Sequence, residues 1–159
     1  MLIALLCAGS NVWAEDLPVA AEPGPVILTV VNSVAESKRY QFTLQDLQSL
    51  ESHTFTLTHD WSDSPHRYTG PLLSAVLEKA GMKGTTVKLR ALNEYFIEIQ
   101  RPFIEKYQPI LAWQEDGLTL SIRNKGPLWL MTPLHQYPEL NEPANVSKLI
   151  WQLSTIEVR

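Results

Sequence analysis

The sequence contains one cysteine, Cys7, and it lies inside an apolar run at the N-terminus. If that run is removed on export, the mature chain has no cysteine, and disulfides, thiolate catalysis and Cys-ligated metals are excluded together. Clustered basic charge is also missing. Thirteen Lys and Arg are scattered among 17 Asp and Glu, for a net charge of -4, which argues against a nucleic-acid partner. No apolar run is long enough to cross a bilayer as a helix, so no membrane insertion is expected. There is no Gly-x-Ser-x-Gly elbow, no Gly-rich phosphate loop and no dinucleotide fingerprint. The four histidines, His53, His59, His66 and His135, show no compact metal-ligand spacing; His59 and His66, with Asp60 and Asp63 between them, come nearest to a ligand set. Nothing in the sequence demands an enzyme.

What is present suits a small folded domain. The 159 residues, 45% hydrophobic and 19% charged, are enough for one core. Residues 2–8 are apolar, and Val12-Trp13-Ala14 offers small residues where a signal peptidase reads, so 1–14 is expected to be a signal peptide for export to the periplasm. Residues 15–25, rich in Pro, Ala and acid, read as a linker, leaving 26–159 as the domain.

Within it, the β-branched run 26–31 predicts a strand, and 40–42 a short second one. A helix is expected from Thr43, with Thr43 as N-cap and Asp46 near the positive end of the dipole. Residues 55–58 alternate like a half-buried strand and lead into the polar loop 59–67. Residues 68–71 are expected to turn the chain into a second helix that ends at Gly81. Strands are predicted at 86–92 and 95–99, one helical turn at 102–107, a hairpin of 110–114 with 118–122 across Asp116-Gly117, and strands at 128–132 and 149–158. Short strands with two or three short helices predict an α+β domain with a mixed, mostly antiparallel sheet.

A flat heteroaromatic ligand needs aromatic faces for stacking and a few convergent polar groups. Trp61 stands in the polar loop without apolar neighbours, an unusual place for an indole unless it touches something else. Tyr95 stands at a strand start; Trp113 and Trp129 lie within apolar runs, where core packing is the alternative. Asn93 supplies either a positive φ or an amide for a ligand edge. Glu94, Asp60 and Asp63 are the carboxylates able to pair with an amino group beside a ring N–H.

Several segments resemble the sulfite-oxidase-type molybdopterin-binding domain family. They are Tyr68-Thr69-Gly70-Pro71 through Ala80-Gly81, the Leu92-Asn93-Glu94-Tyr95 turn, Leu111-Ala112 with Asp116-Gly117, Lys125-Gly126-Pro127-Leu128-Trp129, and the closing 149–158. Their order covers nearly all of 26–159. That family holds molybdenum with a cysteine in the loop corresponding to His59-Asp60-Trp61, where this chain has none. The chain is more similar to small exported proteins of the same fold that bind a reduced pterin without molybdenum and act on the periplasmic domain of a membrane-bound cyclic-di-GMP enzyme, and so on biofilm formation. By that resemblance Trp61 takes the place of the cysteine loop, and Asn93, Glu94, Tyr95, Arg123 and Trp129 line the rest of the site, with Asp60 beside Trp61 as a further candidate ligand-binding residue. The resemblance thus implies a non-catalytic regulator. The alternatives are a molybdopterin-dependent oxidoreductase subunit using His59 or Asp60, and a plain interaction module.

Overall fold

The computed structural model describes residues 24–33 and 38–159. The signal-like segment, Cys7 and most of the linker lie outside the described residues. Eleven strands form three sheets, and four short α-helices and two 3-10 turns connect them among the described residues. The α+β class expected from the sequence holds, with more helices than anticipated.

The largest sheet contains β1 (Val26–Asn32), β2 (Arg39–Thr43), β5 (Thr86–Ala91), β6 (Phe96–Gln100) and β11 (Leu153–Val158) in the order β2-β1-β11-β5-β6. Among the described residues of this sheet, β1 and β11 run parallel and the other pairs are antiparallel. The β-branched run 26–31 predicted β1 because such side chains pack well on a pleated, half-buried surface. Between β2 and β3 (Ser52–Leu57) sits α1 (Leu44–Gln48). Thr43 Oγ1 accepts the Asp46 N–H at 3.2 Å, and the Thr43 N–H donates to Asp46 Oδ2 at 2.8 Å, a full capping box.

β3 pairs with β4 (His66–Pro71), and β4 with β8 (Gln114–Glu115), which turns back into β9 (Leu118–Thr119). Residues 68–71 are therefore strand, where the sequence suggested a helix entry. Pro71 ends β4, and α2 (Leu73–Lys79) begins two residues later with Leu72 at its N-cap. Its end follows the expectation: Gly81 has φ +64°, its N–H donates to the Glu78 carbonyl at 2.8 Å, and the Met82 N–H reaches the Leu77 carbonyl at 2.9 Å. That is a Schellman stop, which a glycine adopts without the steric cost of a Cβ.

The predicted hairpin at 110–122 is divided. Asp116 and Gly117 both have positive φ, as a two-residue hairpin turn requires, but only β8 and β9 pair across them. β7 (Ile110–Ala112) instead pairs with β10 (Trp129–Met131), and Ile122 belongs to the 3-10 turn Ile122–Asn124. Pairing in an antiparallel strand is chosen by the partner that buries its side chains. Ile110, Leu111 and Ala112 are all fully buried, which a solvent-facing hairpin could not satisfy. α3 (Arg101–Tyr107) links β6 to β7, and the Pro-containing segment before β11 carries the 3-10 turn Pro138–Asn141 and α4 (Pro143–Val146).

Two apolar cores result among the described residues. One lies beneath the large sheet, with Leu28, Phe42, Leu77, Leu89 and Ile156. The other joins the smaller sheets through Leu57, Tyr68, Ile110, Trp129 and Leu149. Residues 149–152 cross between them: the Leu130 N–H donates to the Ile150 carbonyl and the Leu92 N–H to the Gln152 carbonyl, both at 2.9 Å. This crossing positions the candidate site.

Candidate functional site

A cavity of about 380 Å³ opens at the seam of the two cores and is lined by Trp61, Ala91, Asn93, Tyr95, Ser147, Leu149, Ile150 and Trp151. Its volume is within the roughly 300–1,000 Å³ typical of small-molecule sites. Trp61 and Trp151 meet edge to face, ring centroids 5.3 Å apart with an interplanar angle of 82°. Trp61 is 43% exposed and Tyr95 51%, so their rings offer uncovered aromatic surface at the mouth.

Beneath the tryptophans lies an aromatic stack with a polar thread. His59, only 7% exposed, packs on Trp129 at 5.1 Å, on Trp61 at 5.6 Å and on Tyr68 at 5.8 Å. Its Nδ1 accepts the Trp61 backbone N–H at 3.2 Å, so the proton of the neutral ring sits on Nε2. Nε2–H then donates to Tyr68 Oη at 2.7 Å, and the Tyr68 hydroxyl donates to Glu115 Oε1 at 2.7 Å. The thread is saturated in one direction. Burial, then the positive Lys125, holds the His59 pKa below its ordinary value of 6.5. Burial, then the hydrogen bond and charge of Glu115, pushes the Tyr68 phenol far above its ordinary range, so it remains a donor. Trp129 is fully buried, donates its indole N–H to the Leu149 carbonyl at 3.1 Å, and carries Lys125 Nζ 4.5 Å over its ring.

Of the residues expected to form the site, the structure brings Trp61, Asn93 and Tyr95 together at the cavity. Trp129 lies in the core behind it and contributes through His59 and Leu149. Trp113 is half-buried against the main core. Asp60 and Asp63 are not among the lining residues, nor is the exposed Arg123. Glu94 turns away: its carboxylate accepts from Arg90 Nη1 at 2.9 Å. The positive φ in this turn belongs to Glu94, at +67°, rather than to Asn93. Asn93 instead uses its Oδ1 to accept the Tyr95 N–H at 3.1 Å, a side-chain-closed turn that fixes the cavity rim.

Sequence reasoning missed Trp151, Leu149, Ile150, Ser147 and Ala91. Residues 149–158 read as one strand, whereas β11 starts only at Leu153 after Gln152 at φ +53°. The one local sign was the Trp151-Gln152 pair, which places an aromatic and an amide where an apolar run continues on either side.

No protein-family model matches the chain, and no curated protein matches it. Among solved structures, it is similar to the sulfane dehydrogenase SoxCD from Paracoccus pantotrophus, with 16% sequence identity and a TM-score of 0.62. The match covers 88% of this chain and 39% of the SoxCD chain. The likeness is one of fold, and it agrees with the sulfite-oxidase-like α+β architecture expected from the sequence motifs.

The fold raises the question of a molybdenum cofactor. The loop 59–67 contains no cysteine. Both His59 ring nitrogens are already engaged, and among the described residues no group of three or more His, Cys, Asp and Glu is gathered to hold a metal. These donors do not fit a thiolate-held metal.

Proposed function

We propose that this protein binds a reduced pterin in the cavity lined by Trp61, Tyr95 and Trp151 and acts by recognition rather than catalysis. One observation carries the reading: an apolar cavity walled by two tryptophans and Tyr95, whose polar lining side chains other than aromatics are the uncharged Asn93 and Ser147. Aromatic walls favour a planar heterocycle, and uncharged amide and hydroxyl groups suit ring nitrogens and carbonyls. Following the family resemblance, the protein is exported to the periplasm and reports pterin occupancy to the periplasmic domain of a membrane-bound cyclic-di-GMP enzyme, with biofilm formation as the output. Mass spectrometry and absorbance of ligand released from protein purified out of a pterin-producing bacterium test the first step. A bound pterin is expected. Protein that neither carries nor takes up any pterin refutes the reading.

The fold likeness to a sulfane dehydrogenase favours a second reading, a molybdopterin-dependent oxidoreductase subunit. Metal analysis of protein from a cofactor-competent host separates the two, and stoichiometric molybdenum establishes the second.

A further inference from the structure

We propose that His59 is the positioning residue of this site: its neutral imidazole holds the Trp61 turn against the cavity, and protonation at Nδ1 releases it. The inference rests on the reading that the cavity takes a flat heterocycle. Trp61 is the third residue of a turn that begins at His59. The Ser62 N–H closes that turn on the His59 carbonyl at 2.9 Å, and the Trp61 N–H closes it again on His59 Nδ1 at 3.2 Å. The second contact copies a geometry usually made by Asn or Asp, whose side-chain oxygen accepts from the backbone N–H two residues on. Here a ring nitrogen does so, and that acceptor vanishes when the ring takes a second proton, because both nitrogens then donate.

The rest of the ring is fixed from behind. Nε2–H is committed to Tyr68 Oη, and the ring is packed between Trp61 and Trp129, so it cannot swing to offer Nδ1 elsewhere without breaking both contacts. The charged and titratable groups facing it are Tyr68 and His66 from β4, Glu115 from β8 and Lys125 from the turn before β10. Burial and Lys125 disfavour the imidazolium, while Glu115 opposes them, which puts the switch on the acid side of the ordinary histidine value of 6.5.

Amide NMR of the ligand-free protein across pH, together with dihydrobiopterin titrations, tests the assignment. The Trp61 backbone amide and the His59 ring resonances are expected to share one midpoint below pH 6.5. In His59→Asn, whose side-chain oxygen restores the acceptor without titrating, the Trp61 transition disappears, and affinity becomes flat with pH. In His59→Phe, which keeps an aromatic ring but no acceptor, dihydrobiopterin binds about fivefold more weakly at neutral pH, the loss of one neutral hydrogen bond. A Trp61 amide that stays still while His59 titrates overturns the proposal, as does equal affinity of His59→Phe and wild type. If wild-type protein binds no dihydrobiopterin, the pterin reading fails, and the ligand-free titration still decides the role of His59.

Discussion

Replacing Tyr68 by Phe removes one oxygen and nothing else from the centre of the molecule, and the structure allows its cost to be worked out. The ring is fully buried and packs on Trp129 at 5.4 Å and His59 at 5.8 Å, contacts that Phe keeps. The lost hydroxyl joins His59 Nε2 and Glu115 Oε1, each at 2.7 Å. The two ends respond differently. The Glu115 side chain is 28% exposed, so water replaces the missing donor at little cost. His59 is buried, and its N–H is left without an acceptor, a loss of about 1–3 kcal/mol. The expected destabilisation is about 2 kcal/mol, or about 4–8 °C in Tm at the roughly 2–4 °C per kcal/mol of a chain this size. Urea unfolding followed by tryptophan fluorescence measures it, with the midpoint shifting and the slope unchanged. Glu115→Gln, which retains an oxygen acceptor for Tyr68, is expected to cost less. A Tyr68→Phe change below about 0.5 kcal/mol would show that the buried thread contributes no more than a surface contact.

Other consequences are open to direct measurement. Trp61→Ala and Trp151→Ala each remove one wall of the cavity and are expected to weaken pterin binding by about 1–3 kcal/mol, the scale of base–aromatic stacking, as read by calorimetry. Gly70→Ala would put a Cβ 1.9 Å from the Leu111 carbonyl oxygen and 2.8 Å from Ala112 Cα; this is backbone that cannot yield locally. A loss of about 3 kcal/mol or more, or failure to accumulate soluble protein, is expected from such overpacking, whereas near-wild-type stability would contradict the close β4–β7 approach. Stability should fall on acidification in two windows. The His59 pKa is lower in the folded state, so the unfolded chain takes up its proton first, and stability declines below pH 6.5 toward the folded value. The carboxyls of Asp46, held down by Thr43, and of Asp116, held down by the Arg67 N–H and His66, stabilise above the ordinary 3.8 and lose that contribution as pH falls through their lower folded values. Thermal melts from pH 8 to 3 check both windows, and His59→Asn should flatten only the upper one.

What the sequence determined by itself was decided within a few residues. The capping box of Thr43 and Asp46, the Gly81 helix stop and the Asp116-Gly117 turn each depend on local backbone chemistry, and each formed where the residue types required it. The motif order likewise pointed to the α+β fold, and the polar setting of Trp61 marked it as surface aromatic. Tertiary structure decided which neighbour each short apolar strand chose. Residues 110–112 left their hairpin for β10 because three consecutive buried side chains need cover on both faces. Residues 68–71 became strand because β3 and β8 supplied partners on either side. The site followed from those choices. Trp151 is ninety positions from Trp61 in the chain, and only the crossing of residues 149–152 between the two cores brings their rings to 5.3 Å. His59 looked like one more loop histidine until the fold buried it, since its hydrogen bond to Tyr68, 9 residues on, and that tyrosine's own bond to Glu115, a further 47 residues on, have no local signature.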